Sequence, residues 1–81
     1  MSVETLYSLR RAEPAIRDLD RVVLLDQAVT DDGAAMPAGT EGTVVYVTQD
    51  ARTLIVEFAE PEGALATIPA ASAALAHRHA G

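Results

Sequence analysis

The sequence has no cysteine and no lysine, and only three aromatic residues, Tyr7, Tyr46 and Phe58. Without cysteine there can be no disulfide, thiolate metal ligand or thiol nucleophile, and the redox compartment stays open on this criterion. The missing lysine, beside so much alanine, reads as the codon bias of a GC-rich genome and carries no mechanistic weight. Scarce aromatics bear on nucleic acid: single strands are held by stacking platforms and basic grooves, and after residue 21 the only cations besides histidine are Arg52 and Arg78. Nucleic acid is therefore not an expected partner. Long apolar runs are also missing, so no membrane span is expected, and residues 1–6 lack the basic flank and apolar stretch of a signal peptide. A cytoplasmic, bacterial-type protein is the default expectation.

What is present suits one small folded domain. The chain has 81 residues, 49% of them hydrophobic, which is globular rather than disordered and leaves no room for a second domain. A core of this size barely offsets conformational entropy, so help from homo-oligomerisation or a docked arm is expected. The net charge of −6 is unevenly placed. In residues 1–21 four arginines balance Glu4, Glu13, Asp18 and Asp20, whereas residues 22–81 carry eight acids against two arginines. Such a field repels phosphate backbones and favours cationic surfaces.

The organising stretch is residues 37–58. Two β-rich runs, residues 43–48 and 53–58, flank a polar turn at Gln49, Asp50 and Ala51, which predicts a hairpin. Leu54, Val56 and Phe58 alternate with Ile55 and Glu57, aiming the first set at a core. Gly39 and Gly42 precede the first run, where a corner calls for positive φ. Upstream, Ser2 can cap a short helix with Val3, Leu6, Tyr7 and Leu9 at helical spacing, ended by Pro14. Such a helix is too short to hold alone, so it docks, finds a partner or frays. Residues 21–25 read as the first strand, and residues 28–40 as a long loop turning at Asp31, Asp32 and Gly33, from which Met36 folds back over the barrel mouth. Glu60, Pro61, Glu62 and Gly63 form a turn before a strand over residues 64–68 that Pro69 ends. Residues 70–76 read as a helical or 3₁₀ turn that tucks Leu75 inward. The expected architecture is mainly β: a small closed barrel of about five strands over residues 16–76, with an N-terminal helix or arm over 1–15 and a disordered tail over 77–81.

The residues running from Leu19 to Leu25, the stretch Pro-Ala-Gly-Thr-Glu-Gly-Thr-Val-Val from Pro37, then Val56-Glu57-Phe58 and Ala66-Thr67-Ile68, resemble a small bacterial family designated domain of unknown function 4926. The resemblance spans most of residues 16–75. Its Gly-x-x-Gly-Thr-Val-Val stretch followed by Val-Glu-Phe is also similar to SH3-like barrels more widely, including that of nitrile hydratase β subunits. Pro69 and the alanines after it depart from the small family's more polar turn, and residues 1–15 extend beyond its pattern. The resemblance implies an SH3-like barrel and transfers no catalytic residue.

Motifs for chemistry are sparse. His77 and His79, two apart in a terminal stretch, do not make a rigid metal shell, and the oxygen ligands a calcium loop needs after Asp31 and Asp32 are replaced by Ala34, Ala35 and Met36. Glu57, Glu60 and Glu62 are carboxylates without a matching nucleophile and base. Gly39 and Gly42 lead into a strand, whereas phosphate cradles open helices. No catalytic residue, metal or cofactor is assigned, and the expected activity is not enzymatic. The expected role is an acidic protein-binding module, an adaptor or an antitoxin- or immunity-type inhibitor, presenting Asp31, Asp32, Glu41, Glu60 and Glu62 to a basic protein partner. The alternative is a maturation factor or small subunit of a metalloenzyme such as a nitrile hydratase-like complex.

Overall fold

The computed structural model describes residues 16–78. The helix or arm expected over residues 1–15, and the tail after Arg78, lie outside the described residues. Strands β1 (Arg21–Leu24), β4 (Glu41–Val47), β5 (Thr53–Phe58), β6 (Ala64–Pro69) and β7 (Ala73–His77) form one antiparallel sheet in the order β6-β5-β4-β1-β7. A separate two-stranded ribbon, β2 (Ala28–Val29) with β3 (Ala35–Met36), occupies the excursion between β1 and β4. The protein is mainly β, as the β-branched runs predict.

The expected hairpin forms between β4 and β5, with Val44 directly opposite Val56. Its turn is tied by its own polar side chains. The Thr48 hydroxyl donates to Asp50 Oδ1 at 2.7 Å, and that same carboxylate oxygen accepts the Arg52 N–H at 3.0 Å. Ala51 follows with a φ of 62°. Along β5 the period of two holds: Leu54, Val56 and Phe58 are buried and Glu57 is exposed. Val22, Leu24 and Val44 face the same core from β1 and β4, so one face of the sheet excludes water while the other keeps Arg21, Glu41 and Glu57.

Four expectations need correction. The sheet is not closed: β6 and β7 are its two edges. The loop over residues 28–40 is not structureless, because β2 and β3 pair and place Ala28 and Met36 in the core. The stretch expected to be a turn through residue 76 splits into a single 3₁₀ turn, Ala70–Ser72, and then β7, which pairs with β1. β7 also takes in His77, and Arg78 lies 3.6 Å from the buried Asp20 carboxylate, so these two residues belong to the fold rather than a tail. Pro69 is the last residue of the edge strand β6, a position where a missing N–H costs no ladder bond.

Gly42 is also used differently from the expectation. Gly39 has a φ of 93°, as the corner before β4 requires, but Gly42 is not in the left-handed region. Its missing side chain makes room instead: a Cβ there would lie 2.5 Å from Val56 Cγ1 and 3.1 Å from Phe58 Cδ1.

Candidate partner-binding face

The five acids singled out in the sequence fall into two settings. Asp31 and Asp32 sit in the turn of the β2-β3 ribbon, which Thr30 holds in shape. The buried Thr30 hydroxyl donates to Asp32 Oδ1 and accepts the Ala34 N–H at 2.9 Å. The Gly33 N–H closes the turn on the Thr30 carbonyl at 2.9 Å. This turn is anchored to the sheet, because the Asp31 N–H donates to the Leu65 carbonyl at 2.8 Å. Leu65 lies just after the β5-β6 turn that carries Glu60 and Glu62. The fold therefore brings Asp31, Asp32, Glu60 and Glu62, all exposed, to one end of the molecule.

Glu41 stands apart. It opens β4 on the outer face of the sheet and accepts a 3.3 Å contact from Arg21 Nη2, with both side chains about half exposed. A pair this open to water contributes little to stability, yet it offsets the charge Glu41 offers to a partner. At the four-acid end, carboxylates held on short turns can accept charge-assisted hydrogen bonds from arginine or lysine of another surface. Their backbones are already fixed by the ribbon and the hairpin, so little ordering is needed on contact.

Two features were not singled out from the sequence. Asp20 is the one charged side chain in the core among the described residues. Its Oδ2 accepts the Arg17 N–H at 2.9 Å and faces Arg78. Only its place just before an apolar strand hinted at burial, and the partner, 58 positions away, gave no local signal. The second feature is an open hollow of about 400 Å³ lined by Ile16, Arg17, Asp18 and Val47, at the far end of β4 from Glu41.

Asp50 has its carboxyl held below the ordinary carboxylate range, first by the Thr48 hydroxyl and then by the Arg52 N–H, with smaller help from the Arg52 charge. Its role is confined to the β4-β5 turn. Among the described residues, no group of three or more histidine, aspartate or glutamate side chains is placed to hold a metal ion, and no helix is long and apolar enough to cross a membrane. Comparison of the chain with protein-family models, curated proteins and solved structures finds no match.

Proposed function

We propose that this protein is a noncatalytic, acidic protein-binding module built on an SH3-like barrel related to domain of unknown function 4926. The strand order β6-β5-β4-β1-β7, the long excursion between β1 and β4 and the 3₁₀ turn between β6 and β7 support the barrel reading. The observation that carries the functional reading is the Asp31 N–H bond to the Leu65 carbonyl, which fixes two acidic turns side by side. The partner offers a basic surface, and the module acts as an adaptor or as an inhibitor that covers a cationic site. Affinity capture from native lysate tests this: a basic protein is retained at low salt and released at high salt, because screening shortens the reach of exposed charges. Capture of no protein at either salt contradicts it.

A further inference from the structure

The turn of the β2-β3 ribbon contains the dipeptide Asp32-Gly33. The Gly33 N–H closes on the Thr30 carbonyl at 2.9 Å, and neither Asp31 nor Asp32 between them has a positive φ, so the turn is of type I. Gly33 follows with a φ of 91°, completing the three-residue hairpin loop in which a left-handed residue comes after a type I turn. A side chain at Gly33 would meet nothing within 4 Å, so glycine is required there by its backbone and not by space. The loop thus places a glycine directly after an acid that faces water.

Aspartate followed by glycine is prone to rearrange, because no side chain shields the glycine nitrogen. That nitrogen attacks the aspartate Cγ, a carboxyl oxygen leaves as water with the amide proton, and a five-membered succinimide forms. Water then adds back and opens the ring at either carbonyl. One opening restores aspartate, and the other gives isoaspartate, in which the main chain runs through the side-chain carbon. One water leaves and one returns, and nothing is oxidised or reduced.

We propose that Asp32-Gly33 is a site of this isomerisation and that Thr30 is the residue that holds it off in the folded chain. Thr30 is only 4% exposed, and all its polar groups are engaged within the turn. Its N–H donates to the Ala34 carbonyl at 2.8 Å and its carbonyl accepts the Gly33 N–H. Its hydroxyl donates to Asp32 Oδ1 and accepts the Ala34 N–H at 2.9 Å. Both reacting groups are therefore tied to one residue, the nitrogen through the Thr30 carbonyl and the carboxylate through the Thr30 hydroxyl. A type I turn holds Asp32 at a ψ of about 0°. Closing the ring takes a rotation about the Asp32 Cα–C bond that swings the nitrogen toward Cγ, which breaks the Gly33 bond and pulls the carboxylate from the hydroxyl. Isoaspartate lengthens the main chain of the loop by one atom, so Thr30 and Ala34 lose their register and Asp31 is drawn off the Leu65 carbonyl. Weaker partner binding after that loss rests on the protein-binding reading, whereas the restraint by Thr30 does not.

The test follows isoaspartate at position 32 by peptide mapping and enzymatic carboxyl methylation of the full chain, at neutral pH and well below its melting temperature. Thr30→Val keeps the shape and removes the hydroxyl, Thr30→Ser keeps the hydroxyl, and Val56→Ala lowers global stability without touching the turn. Thr30→Val should accumulate isoaspartate several-fold faster than the native chain, because the turn opens locally, while Thr30→Ser and Val56→Ala stay near the native rate. The native chain unfolded in urea should also react several-fold faster than the folded one, a comparison that needs no variant to fold. A native rate in Thr30→Val, an equal acceleration in Val56→Ala, or equal rates for the folded and unfolded native chain would each overturn the proposal.

Discussion

A methyl group on Gly42 would meet Val56 Cγ1 at 2.5 Å and the Glu57 carbonyl oxygen at 3.0 Å, and neither β5 backbone nor a fully buried valine has room to retreat. Gly42→Ala is therefore expected to lower stability by about 1–3 kcal/mol in urea unfolding, the usual cost of overfilling a packed core. An unchanged midpoint would show that β4 and β5 separate more easily than this packing implies. Asp50 gives a pH-dependent counterpart. Because its folded pKa is depressed, the stability it contributes is present above the ordinary carboxylate pKa and lost as pH falls through the lowered value. The melting temperature of Asp50→Ala should sit below that of the native chain at neutral pH, and the gap should close as the pH is taken below about 4. A gap independent of pH would mean that the turn depends on the side chain's shape rather than its charge.

Among the elements, the hairpin of β4 and β5 was legible because its cues are local: β-branched runs, strict alternation in β5 and a polar turn between them. Core residues Leu54, Val56 and Phe58 followed from the same period. β7 was not legible. Ala73–His77 is alanine-rich, a composition that reads as helical, and it becomes a strand only because β1 offers an edge more than 40 positions upstream. The β2-β3 ribbon was hidden for a related reason, since two-residue strands carry no period to detect. In the candidate face, the acidic turns were visible as turns, while their adjacency rests on one bond from Asp31 to Leu65 that no spacing announces. The contact between the entry to β1 and the residue after β7 is testable on its own. Arg78→Gln removes a cation that faces Asp20, a carboxylate only 2% exposed, and should cost about 1–3 kcal/mol in urea unfolding. A loss much smaller than that would mean that Asp20 is satisfied without Arg78.

For the molecule as a whole, charge and fold act together. The acid excess lies in residues 22–81, mostly in the connections between strands, and two turns carry part of it, where Asp31, Asp32, Glu60 and Glu62 face water. An uneven field of this kind steers encounter with a basic surface and discriminates against other acidic ones. The hollow at the opposite end of β4 offers apolar surface, so the two ends differ in the chemistry they present. The central claim is that the acidic end binds a basic protein. Its most direct test is native mass measurement of the captured complex, comparing the native chain with the variant Asp31→Asn, Asp32→Asn, Glu60→Gln and Glu62→Gln. The native chain should appear bound to a basic protein at fixed stoichiometry and the neutralised variant alone. The same complex, in the same yield, from both chains would contradict the account.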